Sequence, residues 1–501
     1  MRNKASSSKR KKITQTRSAG ILMPVASLPS KQGIGSLGQE AYHFVDLLSD
    51  MGFSIWQILP LNPLGYGNSP YQPFSSFAGD ELYIDLGLLA EDGLLQTEPE
   101  PFEQEEPDRI NYEQARAYKE RYLREAFTRF RPEEHGGAKY SAFLEYDWVR
   151  PYAVFIALKA QNGMRCWTEW PQEQQDWILD GKYDLSALED EISYRIFAQY
   201  MFYRQWMKLK AYANARGVSI MGDMPFYVGI DSLDVWGDRE SFLLNEDGSP
   251  AFVAGVPPDY FSVTGQRWGN PIYDWQKMRE TGFTFWVNRL KYTGTMYDVI
   301  RIDHFRAFDT YWKIPASCET AQIGEWVEAP GYDLLDEVYR RFPDMEIVAE
   351  DLGDLRPEVL ELRDHYGLLG MNIAEFSLLS PEPAAENQLI YTGTHDNQTV
   401  TGWYRDLSRR TRAKVGAALG GFGAPREAAA KKLLRYVMHS EARLAIVPLM
   451  DVLGLDDRAR LNTPGTVGSP NWEWQLADWR PLLRRKSFLK KLISDTGRSI
   501  N

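Results

Sequence analysis

The sequence predicts an α/β fold built on a parallel sheet, and three observations point to it. Short Val- and Ile-rich runs alternate with stretches of helical spacing, the pattern of βα units. Three of these runs end on carboxylates, as strands do where a (β/α)8 barrel assembles its active site. The 501 residues suffice for one large barrel with insertions, or for about two to four ordinary domains.

The runs that read as buried strands are Gly20–Val25, Phe53–Leu59, Val218–Met221, Tyr297–Ile302, Glu346–Ala349 and Leu389–Tyr391. Between the first two, Ala41–Met51 puts Phe44, Leu47, Leu48 and Met51 on one face, so a helix is expected there. A second helix is expected over Tyr194–Ala215, where apolar positions recur every three or four residues up to Gly217, a stop signal. From about 86 to 195 the chain is helix-prone, includes the acidic, Pro-rich Glu98–Asp108 and lacks a convincing strand, so it reads as an inserted subdomain. The stretch 236–275, dense in Gly, Pro, Asp and aromatic residues, reads as a second, loop-rich insertion, and loops of that length are usually functional. No internal repeat is present.

Composition narrows the function. Hydrophobic residues make up 44% and charged residues 25%, ordinary globular usage. No apolar run is long enough to suggest a membrane span. Cys166 and Cys318 allow at most one disulfide and form no Cys-x-x-Cys pair, which favours a reducing, cytosol-like compartment. Residues 1–17 carry seven Lys/Arg and no acid, without the apolar core of a signal peptide; a disordered start is expected, with a plastid-type transit segment or a nucleic-acid-binding arm as the alternatives. Net charge is −12 even with that tail, so neither nucleic acid nor an anionic membrane is an expected partner. A neutral ligand fits, and the 13% aromatic content is compatible with stacking on sugar faces.

The three strand endings are Arg301-Ile302-Asp303-His304, Ala349-Glu350-Asp351 and Thr394-His395-Asp396. Caps or turns explain any one of them; three at even spacing point to a converging site. Strand alternation puts Arg301 and Asp303 on one face, and the cation is expected to hold the Asp303 carboxyl low and ionised, as a nucleophile requires; a structural ion pair is the alternative. Glu350 has apolar strand behind it and Asp351 beside it, both of which raise a carboxyl pKa and suit a general acid. Paired carboxylates of this kind cleave glycosidic bonds. The Gly33-x-Gly35-x-x-Gly38 pattern is separated from its strand by residues including Pro29, so the tight turn of a dinucleotide fold is missing. The six His form no metal-binding pattern, and no metal or cofactor is expected. Three Gly- and aromatic-rich loops are candidates to line a sugar groove, although each taken singly reads more readily as a structural turn: Gly65 to Tyr71, Gly255 to Phe261 with Trp268, and Asn462 to Gly465.

Taken in order, the motifs resemble those of the amylomaltase or disproportionating-enzyme family, the 4-alpha-glucanotransferases of the α-amylase clan. The pieces are Gly-Tyr-Gly-Asn-Ser-Pro-Tyr from 65, Gly-Asp-Met-Pro-Phe-Tyr-Val from 222, Gly-Val-Pro-Pro-Asp-Tyr-Phe from 255 and Gly-Gln-Arg-Trp-Gly-Asn-Pro from 265. Arg-Ile-Asp-His-Phe-Arg from 301, Ala-Glu-Asp-Leu-Gly from 349 and Tyr-Thr-Gly-Thr-His-Asp-Asn from 391 complete them, spread over 18–501. The resemblance implies a (β/α)8 TIM barrel with inserted, largely helical subdomains and no C-terminal β-domain. It implies Asp303 as nucleophile, Glu350 as acid/base and Asp396 as transition-state stabiliser, with α-1,4-glucans and maltooligosaccharides as donor and acceptor. The implied substrate-binding residues are Tyr66, Ser69, Tyr71, Asp223, Asp259, Tyr260, Phe261, Trp268, Arg301, His304, His395 and Asn462. Tyr112 matches a second, surface glucan site, and the Gly255–Phe261 loop matches a cover over the active site. Gln398 and Gln475 depart from the family's usual acidic residue and Arg. An α-amylase-like hydrolase and a non-catalytic glucan-binding protein are the competing readings, and the intact carboxylates argue against the second.

Overall fold

Eight short parallel strands, buried over most of their length, close on themselves in the computed structural model, which describes residues 12–258, 262–380, 383–424 and 428–499, apart from the side chain of Tyr66. They are β1 (Ser18–Leu22), β2 (Ile55–Gln57), β3 (Ser219–Met224), β4 (Val299–Ile302), β5 (Ile347–Ala349), β6 (Gly370–Ile373), β7 (Gln388–Tyr391) and β8 (Leu444–Pro448). β1, β2, β3, β4, β5 and β8 are buried at every position, which is why they read as continuous apolar runs and not as alternating ones. Pairing runs from β6 through β7, β8, β1, β2, β3 and β4 to β5. The circle closes where Val348 bridges Leu369 in parallel and the Ala349 N–H donates to the Leu369 carbonyl at 2.9 Å. The fold is therefore the expected (β/α)8 barrel.

The expected helix after β1 is α1 (Gln39–Met51); Gly52, at φ 90°, ends it in the left-handed conformation that favours glycine. The glycines before it serve packing. A Cβ on Gly35 would lie 1.9 Å from the Val25 carbonyl, and one on Gly38 2.1 Å from the Asp85 carboxyl. Between β2 and β3 the described chain is helical, including α2 (Tyr112–Arg129), α3 (Val149–Gln161) and α4 (Glu189–Ala215). Two buried glutamines of α4 hold the segment that follows β2. Gln199 exchanges bonds of 2.8 and 2.9 Å with the Gly79 backbone, and Gln205 bonds of 2.7 and 3.0 Å with that of Asp85.

Three sequence expectations differ from what is observed. The stretch 236–275 contains two strands, Phe252–Val256 and Gln266–Pro271. With Thr310–Pro315 and Glu325–Glu328 they form an antiparallel sheet in the order 266–271, 252–256, 310–315, 325–328, with a small core of Val253, Ile314 and Ala321. Gly255, expected to open a loop, lies inside that sheet, where a Cβ would meet the Gln266 carbonyl at 2.1 Å, so it is a packing residue of a strand. Residues 12–17, expected to be disordered, are docked: the Thr14 N–H and hydroxyl both donate to Glu346 Oε2 at 2.8 Å, and Arg17 donates to main-chain carbonyls. Residues 1–11 lie outside the described residues.

After β8 the described chain ends on α5 (Arg480–Asp495), and no further strand is found among the described residues. No described helix is long and apolar enough to cross a membrane.

Candidate active site

The register between strands brings the predicted polar residues together. β3 and β4 pair Asp223 with Arg301, and the guanidinium Nη1 donates to both Asp223 oxygens at 2.7 Å. Arg301 Nη2 reaches Asp303 Oδ1 at 2.9 Å, as the shared face predicted. β4 and β5 pair Ile302 with Ala349, so Asp303 and Glu350 are the next residues on neighbouring strands. The ladder continues into them: the Asp303 N–H donates to Met224 O and the Glu350 N–H to Ile302 O, both at 3.0 Å.

Glu350 accepts from two backbone N–H groups, His304 at 2.8 Å and Leu352 at 3.0 Å. The first contact depends on His304 being left-handed, at φ 52°, a conformation rare outside glycine and found at functional sites. Burial, reinforced by the charge of Asp303, pushes the Glu350 carboxyl up to about 7 against the pull of Arg301 and the two N–H groups. The general-acid expectation therefore agrees with the electrostatics, although the neighbour that matters is Asp303 and not Asp351. Asp351 turns away, accepting from Arg363 Nη1 at 2.5 Å and from the Met371 N–H at 2.7 Å.

For Asp303 the sequence expectation is reversed. Its carboxyl lies above the usual carboxylate range because burial outweighs the pull of Arg301, whose charge is shared with Asp223. The side chain is still 32% exposed, so this is the push of a groove wall and not of a sealed interior. The His304 imidazole is pushed down to about 3 by burial and then by Arg306, so it is neutral; its ring meets Trp268 edge-on at 4.8 Å.

On the other wall, the Tyr71 hydroxyl donates to Asp223 Oδ2 at 2.6 Å and its ring stacks on His395, centroids 5.0 Å apart at 15°. His395 Nε2 lies 3.5 Å from Asp396 Oδ2, and Asn462 Nδ2 donates to Asp396 Oδ1 at 2.7 Å. Asp396 is 46% exposed, open to a ligand. Ser69 makes no hydrogen bond to the three carboxylates among the described residues; its hydroxyl accepts from the Tyr71 N–H at 3.3 Å and shapes its own loop. The Tyr66 side chain and residues Asp259, Tyr260 and Phe261 lie outside the described residues. Tyr112 is 8% exposed, with its hydroxyl donating to the Trp472 carbonyl at 2.8 Å, a buried anchor where a surface contact was expected.

Sequence reasoning missed a layer behind Asp396. Asn397 Oδ1 accepts from the Thr394 N–H at 2.8 Å and hydroxyl at 2.9 Å, and its Nδ2 donates to Glu375 at 3.2 Å. Asp451, buried, accepts from the Thr392 hydroxyl at 2.6 Å and the Val400 N–H at 2.8 Å. Asn397 closes the 391 motif, which was a signal; Glu375 and Asp451 sit on short helices after β6 and β8 and gave none. No group of three or more His, Cys, Asp or Glu able to hold a metal is found among the described residues.

A family model described as 4-alpha-glucanotransferase matches residues 23–480. The 4-alpha-glucanotransferase of Thermus thermophilus is 43% identical over 482 residues, covering 92% of this chain and 95% of that protein. The chloroplastic/amyloplastic 4-alpha-glucanotransferase of Arabidopsis thaliana is 37% identical over 503 residues, covering 96% of this chain and 86% of that protein. Among solved structures, amylomaltase from Streptococcus agalactiae in complex with acarbose superposes with a TM-score of 0.91 at 36% identity, covering 97% of this chain and 100% of that one.

Proposed function

This chain belongs to the 4-alpha-glucanotransferase family, and from that membership we propose how its own residues carry out the reaction. The enzyme transfers a segment of an α-1,4-glucan to the 4-hydroxyl of an acceptor glucan or glucose. Asp303 attacks the anomeric carbon as the bond to the departing 4-oxygen breaks, and Glu350 gives that oxygen its proton. A β-linked glucosyl ester on Asp303 results. Glu350, now ionised, takes the proton of the acceptor 4-hydroxyl, whose oxygen displaces Asp303 and restores the α linkage.

The coupling between the two carboxyls fits both halves. While Asp303 is an anion it helps keep Glu350 protonated; once the ester forms, that charge is gone and Glu350 gives up its proton more readily. Asp396, steadied by Asn462, faces the positive charge that develops on the sugar ring. The observation that carries this reading is the register that makes Asp303 and Glu350 neighbours, with Arg301 fixed beside them by Asp223. Retention calls for a carboxyl separation of about 5–5.5 Å in a sugar complex. A reducing, cytosol-type compartment is supported by Cys166 and Cys318, both free thiols.

The test is incubation with maltotriose alone. Longer maltooligosaccharides plus glucose at constant total reducing ends are expected. Shorter sugars with rising reducing ends would make the chain a hydrolase.

A further inference from the structure

Three consecutive strand ends meet behind Asp396. β6 leads into the helix Ala374–Ser377 that carries Glu375, β7 into the turn 394–397, and β8 into the helix Leu449–Leu453 that carries Asp451. The direction of the Asn397 amide is dictated there. The Thr394 backbone N–H can only donate, and it points at Oδ1 at 2.8 Å, so the amide nitrogen faces Glu375 Oε2 at 3.2 Å. Thr394 in turn accepts the Asp396 N–H on its hydroxyl at 3.3 Å. A chain of hydrogen bonds thus runs from Glu375 through Asn397 and Thr394 to the backbone of Asp396.

Glu375 is otherwise hard to account for. Its Oε1 is buried with no hydrogen-bond partner among the described residues, a costly arrangement for an ionised oxygen. Gly393 closes against the pair: a Cβ there would lie 3.0 Å from Asn397 Cβ and 3.6 Å from Glu375 Oε1. Burial, with Asp451 and Asp457 adding to it and Asn397 and Arg460 opposing, pushes the Glu375 carboxyl up to about 9. It therefore holds a proton at neutral pH and adds no negative charge beside Asp396.

We propose that Glu375 is a positioning residue for the transfer reaction: through Asn397 it fixes the turn that carries His395 and Asp396, and so the direction in which Asp396 meets the sugar. This rests on the reading of Asp396 as the stabiliser of the transition state.

The test uses Glu375→Gln, Glu375→Leu, Asn397→Ala and the Glu375→Leu/Asn397→Ala double variant, with kcat and KM on maltotriose and a thermal unfolding midpoint for each. Gln, a neutral isostere that keeps the acceptor, should stay within about twofold of the parent in kcat. Leu should lower kcat by about tenfold or more with KM changed by less than about threefold, and the double variant should be no worse than Asn397→Ala alone. A Leu variant that keeps its kcat, losses that multiply in the double variant, or a Gln variant as poor as Leu would each overturn the proposal. Should Leu fail to fold, the Gln result decides. Asp396→Asn is the control. If it stays active, the role of Asp396 and the proposal both fall; if it is inactive, the other variants judge Glu375 alone.

Discussion

Glu350 can act as an acid only while it holds its proton, and its pKa near 7 sets where that ends. Because the value is raised from the ordinary carboxylate range, activity should be present below it and lost as pH rises through it. We expect kcat/KM for maltotriose to decline on the alkaline side of about pH 7, approaching tenfold per pH unit. A profile flat to pH 9 would remove Glu350 from the role. Asp303→Asn should abolish turnover by several orders of magnitude while glucan binding persists, because it removes the nucleophile and leaves the groove. The same substitution should move the Glu350 titration downward, since the neighbouring anion is gone. Carbon-13 NMR of labelled glutamate reads that shift directly, and an unmoved titration would deny the coupling.

Helix α2 is tied to the barrel by a lysine where a hydrophobic residue would be ordinary. Lys119 is 1% exposed and donates to Gln32 Oε1 at 2.6 Å and the Ile84 carbonyl at 2.7 Å, with no carboxylate among the described residues bonded to it. Burial pushes its pKa down to about 7, against a partial pull from Asp85. Between that value and the unfolded value of about 10.4, the unfolded chain binds more protons. The contribution of Lys119 to stability is therefore full above the unfolded pKa and is lost as pH falls towards 7. Lys119→Met should flatten the gain in urea resistance between pH 7.5 and pH 10, and equal slopes in parent and variant would contradict it.

At this scale the sequence is legible where an element has a single period and clear ends. α1 and α4 were readable because apolar residues recur at helical spacing up to Gly52 and Gly217. β8 was not, because Leu444–Pro448 runs without a polar break into the helix Leu449–Leu453, apolar except for Asp451, and such a run reads as strand or helix alike. β6 was hidden by Asn372 within a four-residue strand. The carboxylates at 303 and 350 were visible because each directly follows a strand, and Asp396 because it closes the short turn after β7. The bond from Tyr71 to Asp223 and the reversal of the Asp303 pKa depend on residues far apart in the chain, and no spacing encodes them.

Over the whole molecule, the two ends of the described chain are fastened by arginines that bond carbonyls. Arg498, fully buried, donates to the carbonyls of Ser18, Met438, Ser440, Ala442 and Arg443 at 2.8–3.1 Å, joining the end of the chain to the start of β1. Arg498→Ala would remove this donor, at about 1–3 kcal/mol for each carbonyl left unsatisfied, while the Ser440 and Arg443 carbonyls keep the Arg17 guanidinium and the Ser18 N–H. A fall of several degrees in the thermal unfolding midpoint is expected, with the KM for maltotriose unchanged because the site lies at the opposite end of the barrel strands. An unaltered midpoint would show that water replaces the guanidinium without loss.

The small antiparallel sheet has a different exposure to the outside world from the barrel. A closed barrel offers no strand edge, whereas Glu325–Glu328 is an outer strand with Glu325, Trp326 and Glu328 exposed. Two molecules meeting antiparallel along that strand would set Glu325 of each against Glu328 of the other, like charge facing like charge at both ends of the contact. The acids that bracket Trp326, Glu325 of them paired with Lys313 at 2.7 Å, thus weigh against self-association: they let a half-exposed ring, covered on one face by the Arg306 guanidinium, sit on an outer strand without making it a template for stacking one molecule on the next.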